Sequence, residues 1–147
     1  MTLTSRDLTR NQAAYDTNRV KLLVFDNSFV EGTYKNVSGD TESVALGQIM
    51  GKIAVSGNWT VCKSGAGDGS QIPRGIMLDV LTDIADEATV DPINLVNGGK
   101  VNSALLVFDG TDDLDTLVGG VRMEDLLISN SKDLELVEIV DDTNYDN

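Results

Sequence analysis

Short runs of apolar residues, separated by turn-forming residues, recur along most of the chain. Runs of this length that are rich in Val, Ile and aromatic residues are typical of β-strands. The pattern predicts strands or extended segments over Val20–Phe25, Phe29–Lys35, Val44–Val55, Trp59–Lys63, Gly75–Val80, Ile93–Val96, Val101–Phe108 and Leu134–Val140. Gly47 and Gly51 interrupt the third run, which indicates bulges or close approach of two backbones.

The segments between these runs are short and rich in Gly, Asn, Asp and Ser. Residues 26–28 (Asp-Asn-Ser) are predicted to end the first strand. Turns are predicted at residues 56–58 (Ser-Gly-Asn) and at residues 97–99 (Asn-Gly-Gly), because these residues accept the backbone angles of tight turns. The region Asp83–Asp91 is acidic and also has the composition of a turn.

One short helix is predicted near the end of the chain. Met123, Leu126 and Leu127 share helical spacing within 121–128, and residues 129–131 (Ser-Asn-Ser) would end the helix. The sequence therefore predicts a mainly β fold of the small α+β type, a compact Gly-rich β-sandwich or barrel with one short helix. Without a visible repeat or linker, residues 20–140 are expected to form one domain. Residues 1–19 are predicted to be a flexible N-terminal arm, and 141–147 an acidic tail.

Charge narrows the range of partners. The chain has 11 basic and 24 acidic residues, for a net charge of −13. This composition argues against nucleic acid and against anionic membrane surfaces, because both are bound through Lys and Arg. The first 21 residues nevertheless carry four basic and two acidic side chains. We therefore expect the basic arm to dock on a partner, with a frayed terminus as the alternative.

The absence of histidine and the single cysteine limit the catalytic and metal-binding chemistry that the chain can perform. The chain contains no histidine, the usual general base near pH 7 and the commonest metal ligand. Its single cysteine, Cys62, allows neither an internal disulfide nor a cysteine-cluster zinc site, and we expect it to be a buried, inert thiol. The chain is therefore predicted not to be an enzyme and to need no cofactor. An enzyme that uses carboxylates alone is kept as a minor alternative.

Three local features are candidate sites. Gly65–Ser70 (GAGDGS) lacks the Gly-Lys-Ser/Thr ending of a phosphate-binding loop and is predicted to be a turn. Asp109–Asp115 is dense in carboxylates, but its sixth residue is not the glycine that an EF-hand needs. A solvated turn is expected there, with a weak, irregular cation site as the alternative. Trp59 is predicted to be a core anchor or a subunit-contact residue.

An ordered set of short pieces is more specific than any single motif. The pieces are Val44–Ile53, Gly57–Trp59, Asp68–Ser70, Pro73–Met77 with Asp79 and Asp83, Ile93–Asn102 with Leu105, and Asp125–Leu127. Their order and spacing resemble the head decoration protein family of tailed bacteriophages over about residues 44–140. The long segment before residue 44 and the tail after residue 140 depart from the family pattern.

The resemblance implies a small β-rich domain that forms homotrimers on the outer surface of the expanded capsid. Such proteins hold neighbouring copies of the major capsid protein together, and the family has no catalytic residues. In this chain the contacts are expected from the arm. Leu3, Leu8 and Tyr15 would be the anchors, while Arg6 and Arg10 would meet acidic coat surface.

Two other functions remain open from the sequence. One is a different virion role, such as a tail or baseplate adaptor. The other is a calcium- or carbohydrate-binding β module that uses acidic loops such as residues 109–115.

Overall fold

The structure is a computed structural model that describes residue 19 and residues 21–139. Arg19, Lys21 and Leu22 have helical backbone and lead directly into the first strand. The elements that follow are β1 (Leu23–Lys35), β2 (Glu42–Val44), β3 (Ile49–Lys52), β4 (Trp59–Val61), β5 (Pro73–Met77), β6 (Leu81–Ile84), β7 (Thr89–Asn102), a 3-10 helix (Ser103–Leu105), β8 (Leu117–Val118), β9 (Val121–Arg122), α1 (Met123–Ser129) and β10 (Lys132–Val137).

Five strands close into a barrel in the order β1-β4-β3-β5-β7, because β7 pairs again with β1. The β1–β7 pair is antiparallel and extends from Leu23 to Lys35, whereas β1 meets β4 in parallel only where Tyr34 faces Trp59. β10 pairs in parallel with the last residues of β7. It lies on the same edge of β7 that pairs with β5 earlier along that strand. The predicted mainly β fold with one short helix is therefore confirmed.

The inside of the barrel is one hydrophobic core. Its buried side chains come from strands of the barrel and from β2: Tyr34, Val44, Met50, Trp59, Val61, Met77, Ile93 and Leu95. The two-stranded ribbon of β2 and β6 supplies Val44 together with the partly buried Leu81 and Ile84. This ribbon therefore packs against the barrel core as well as against itself.

A second core lies outside the barrel wall, beneath α1 and β10. It contains Leu22, Ile49, Cys62, Ile76, Leu78, Val96, Val101, Met123, Leu127 and Leu134. Successive side chains of a strand point to opposite faces, so neighbours such as Ile76 and Met77 enter different cores. β3 and the middle parts of β5 and β7 are consequently buried on both faces, so consecutive residues there are buried instead of alternating with exposed ones.

The helix covers this outer core with one narrow stripe. Met123 and Leu127, four residues apart, are its buried side chains. Glu124 and Asp125 lie in the first turn, where negative charge is favourable to the helix dipole. The prediction of a helix ending near residue 129 is confirmed.

The start of the chain differs from the sequence prediction. The strand expected from Val20 begins only at Leu23, after helical backbone. The expected break at residues 26–28 is also absent, because β1 continues through it to Lys35. Asp26 adopts a positive φ of 55°, and the register against β7 shifts there. Residues typical of a turn form an irregularity within one strand instead.

The predicted turn at residues 97–99 is wrong for a related reason. These residues lie inside β7, which runs for 14 residues from Thr89 to Asn102. Gly99 has a φ of 83°, and Asp26 and Asp133 on the two flanking strands have φ of 55° and 51°. The strand predicted over Val101–Phe108 likewise ends at Asn102, where the 3-10 helix begins.

These three residues place a bulge at similar positions in three adjacent strands. An ideal Cβ built on Gly99 would lie 2.3 Å from the carbonyl oxygen of Asp26, so only glycine fits. The Asn27 side-chain amide donates hydrogen bonds to the carbonyl oxygens of Gly98 and Lys100, at 3.2 and 2.9 Å. The Asn27 side chain thus supplies hydrogen-bond donors to two backbone carbonyl oxygens where the strand pairing is irregular.

Among the described residues, no helix is long and apolar enough to cross a membrane. The predicted acidic tail, residues 141–147, lies outside the described residues.

Replacing Gly99 with Ala should destabilise the fold far more than replacing Gly39 with Ala. Both residues have φ near +85°, but an added Cβ at Gly39 meets nothing within 4 Å. Gly39→Ala should cost about 1 kcal/mol from backbone strain alone. Gly99→Ala should cost about 3 kcal/mol or more, because it adds a backbone collision. Urea denaturation measures both, and equal losses would contradict the assigned bulge.

Candidate functional site

The predicted arm residues Leu3, Arg6, Leu8, Arg10 and Tyr15 lie outside the described residues. Arg19, the first residue described, contacts the body of the protein through its side chain. Its guanidinium donates from Nη2 to Asp79 Oδ1 at 2.9 Å and from Nε to the carbonyl oxygen of Leu78 at 3.1 Å. Residue 19 therefore lies beside the end of β5.

Asp79 links Arg19 to β7 in the barrel wall. Its second oxygen, Oδ2, accepts hydrogen bonds from the backbone and side-chain nitrogens of Asn94 in β7, at 2.8 and 3.3 Å. The Arg19 and Asp79 side chains are 31% and 21% exposed, and a pair of this kind stabilises a fold by about 1 kcal/mol at most. Its main effect is to orient the chain entering the body.

The structure places Trp59 in the barrel core, with 4% of its surface exposed. Its indole lies against Gly32 and Gly75, where an added Cβ would come within 2.3 and 3.2 Å of ring atoms. Lys52 Nζ lies 5.1 Å from the ring centroid. The core-anchor expectation fits this environment, and the ring has almost no surface with which to contact another subunit.

A polar network at the barrel's core was not anticipated from the sequence. The Tyr34 hydroxyl donates to Glu42 Oε1, and Lys63 Nζ lies 3.2 Å from Glu42 Oε2. Burial, then the hydrogen bond and charge of Glu42, raise the pKa of Tyr34 well above its usual value. The three side chains join β1, β2 and the residues after β4, so their arrangement suits a structural role.

An open cleft of about 510 Å³ lies between the loops 63–66 and 109–112. Asp112 holds the two loops together, because its carboxylate accepts the Ser64 backbone N–H at 3.0 Å and the Ser64 hydroxyl at 2.7 Å. Lys63 and Asp109 also line the cleft. The bonds to Asp112 fix the shape of this loop pair.

Two other carboxylates of the 109–115 loop, Asp113 and Asp115, also have partners. Asp113 accepts from the Asp115 backbone N–H at 2.9 Å, and Asp115 lies 3.0 Å from Arg122. Across the described part of the chain, no three His, Cys, Asp or Glu side chains converge in a way that could hold a metal ion. The loop is therefore shaped by internal hydrogen bonds and ion pairs.

The Gly65–Ser70 segment is a loop, as predicted. Asp68 accepts hydrogen bonds from the hydroxyl and the backbone N–H of Ser70. These bonds lower the pKa of Asp68, because they stabilise its ionised form. The Asp68 carboxylate thus stabilises the turn in which it lies.

Among the described residues, the most exposed aromatic side chains lie on β1, and the sequence pattern did not predict their exposure. Phe25 is 67% exposed and Phe29 59% exposed, and Val24 beside them is 36% exposed. From Leu23 to Thr33, β1 pairs with β7 on one edge, but no described strand pairs with its other edge. We call residues Leu23–Glu31 on that side the β1 edge.

A scan against protein-family models finds no match for the chain, and no curated protein matches it.

Cys62 is buried and 2% exposed, and its thiol lies 3.4 Å from the carbonyl oxygen of Gln71. Burial, followed by the negative charges of Asp112 and Asp109, raises the pKa of the Cys62 thiol to about 12. The thiolate is the reactive form, so Cys62 in the folded protein should react slowly with thiol reagents.

The Cys62 thiol should make the fold sensitive to alkali. The folded pKa of the thiol, about 12, is above its ordinary value of 9.0, so the folded state keeps a proton that the unfolded state loses. This contribution to stability is complete below pH 9 and is lost as the pH rises toward 12. The slope from this group approaches about 1.4 kcal/mol per pH unit. Urea denaturation between pH 8.5 and 10 measures it.

The control is Cys62→Ala, which lowers the starting stability but should flatten the decline over that range. Tyr34 adds its own alkaline loss only nearer its usual pKa of 10.0. Parallel curves for wild type and Cys62→Ala would contradict the buried, protonated thiol.

Proposed function

We propose that this chain is a capsid decoration protein of a tailed bacteriophage. In this role it binds the outer surface of the expanded head as a homotrimer and holds neighbouring copies of the major capsid protein together. The reinforced shell then resists the outward pressure of the packaged DNA. The observation that carries the proposal is the ordered set of sequence pieces between residues 44 and 140 that resembles the head decoration family.

The fold supports the proposal because those pieces form much of the barrel and its covering layer. Ile49 and Ile76 face the outer core, and Met50, Met77 and Trp59 face the inner core. Four glycines of these pieces, Gly47, Gly51, Gly98 and Gly99, also lie at close backbone contacts. The resemblance therefore concerns residues that define a fold, and the function is inferred through that fold.

The arm provides the attachment to the coat in this proposal. A strand-forming segment can add to the edge of a partner's sheet, where backbone hydrogen bonds supply affinity. Leu3, Leu8 and Tyr15 would supply apolar contacts, and Arg6 and Arg10 would meet acidic coat surface. The Arg19–Asp79 contact supports this arrangement, because it would transmit tension from an attached arm to the barrel wall.

Threefold assembly would strengthen such an attachment. Once one arm is bound, the second and third contacts become intramolecular, so arms of modest affinity give a firmly held trimer. A closed threefold interface also avoids open-ended polymerisation. The net charge of −13 suits the outer surface of a particle, because it favours solubility and repels DNA.

The proposal is tested by co-sedimentation with expanded heads that lack this chain, prepared from the phage that carries it. The intact protein should bind saturably, at hundreds of copies per head. A variant that lacks residues 1–18 should lose most of this binding but keep Arg19 and the folded body. Circular dichroism of the variant checks that the β fold remains.

The outcomes separate the function from the arm mechanism. Saturable binding that survives the deletion would retain the decoration function and overturn the arm as the attachment. Binding at only a few copies per particle would favour a tail or baseplate adaptor instead. An absence of binding to expanded heads would overturn the proposed function.

A further inference from the structure

The β1 edge is the one place in the described structure where exposed aromatic side chains lie on a strand that lacks a second neighbour. β1 meets β4 only at Tyr34, so the edge from Leu23 to Glu31 presents backbone groups that no described strand pairs with. In an antiparallel pair alternate residues direct their backbone groups to opposite edges, so about half of these amides face outward. An open edge with large apolar residues is normally covered in the assembled state.

The charges along the edge argue against a second copy of this chain as the cover. Asp26 and Glu31 are exposed, and neither has an ion pair or a side-chain hydrogen bond to another described residue. Two β1 edges brought together would place four carboxylates in one short ribbon. The strand at the other end of the sheet, β10, carries Lys132 as well as Asp133 and Glu135, and Glu135 already pairs with Lys100. Pairing of two β1 edges would therefore bring like charges together.

The same features describe a suitable occupant. Unpaired backbone groups along a strand are satisfied by another extended backbone, so the occupant is a segment of polypeptide. Phe25 and Phe29 favour apolar side chains in that segment, and Asp26 and Glu31 favour basic ones. The carboxylates thus discourage self-pairing and at the same time select the partner.

We propose that the β1 edge is a second coat-binding surface, which accepts an extended segment of the major capsid protein that carries apolar and basic residues. This inference rests on the proposed decoration function. It differs from the arm contact because the body receives a strand here, whereas the arm donates one. A decoration protein with both contacts would donate one strand to the coat protein and accept another strand from it.

Hydrogen exchange of the intact protein, free and bound to expanded heads, is the first test. Peptides covering residues 23–31 should exchange more slowly in the bound state, because the outward-facing amides gain partners. Peptides covering β8 and β9 should not change, since these two strands already pair with each other in a separate sheet. Binding to heads without added protection at residues 23–31 would overturn the inference and leave the decoration function intact.

Two variants test the side chains by co-sedimentation. Phe25→Thr combined with Phe29→Thr keeps β-forming residues and should weaken binding about tenfold or more. Glu31→Lys should also weaken binding and reduce its dependence on salt. The matched controls are Leu117→Thr, at an apolar residue 62% exposed, and Glu138→Lys, at an exposed carboxylate beyond β10; both should bind as wild type.

The remaining outcomes identify other occupants. If the free protein is oligomeric by sedimentation velocity and the double Phe variant becomes monomeric, a second copy covers the edge and the inference is overturned. If residues 23–31 lose protection in the free protein when residues 1–18 are removed, the chain's own arm is the occupant, with the same consequence. If wild type does not bind heads at all, the proposed function and this inference both fail.

Discussion

The pairing of β7 with strands on both of its edges is the constraint on which the rest of the structure depends. One edge pairs with β1 over nearly its whole length, and the other pairs first with β5 and then with β10. Its side chains enter both cores, with Leu95 inside the barrel and Val96 and Val101 outside. Closure of the barrel and attachment of the outer layer therefore both require this strand.

The bulge at Gly99 allows one strand to serve both purposes. A strand that only closed a small barrel would keep curving with it, whereas a bulge increases the local twist and redirects the chain. Asp26 and Asp133 take up the same left-handed backbone on the flanking strands. Beyond Gly99, β7 lies between the first residues of β1 and β10. The aromatic β1 edge borders this part of the sheet.

The two proposed coat contacts sit at opposite ends of one short stretch of chain. The arm enters the body at Arg19, which is held by Asp79, and the β1 edge begins at Leu23. At its far end β1 is anchored in the core by Tyr34, which is fully buried. A load on either contact would therefore pass into a strand that is part of the barrel wall, so that recognition and mechanical strength share the same backbone hydrogen bonds.

The sequence by itself determined the β-rich class, most of the short strands and the final helix, because hydrophobic periodicity and helical spacing are properties of neighbouring residues. It also indicated a buried, inert Cys62 from the absence of an activating group. The tertiary structure decided the rest. Asn-Gly-Gly suits a hairpin turn and a bulge equally, since both need positive φ, and only pairing with β1 and β10 selects the bulge at Gly99. Phe25 likewise belongs to an apolar run that resembles a core strand, and its exposure follows from the absence of a described strand beside it. Such outcomes depend on contacts between residues far apart in the chain, which local sequence patterns do not encode.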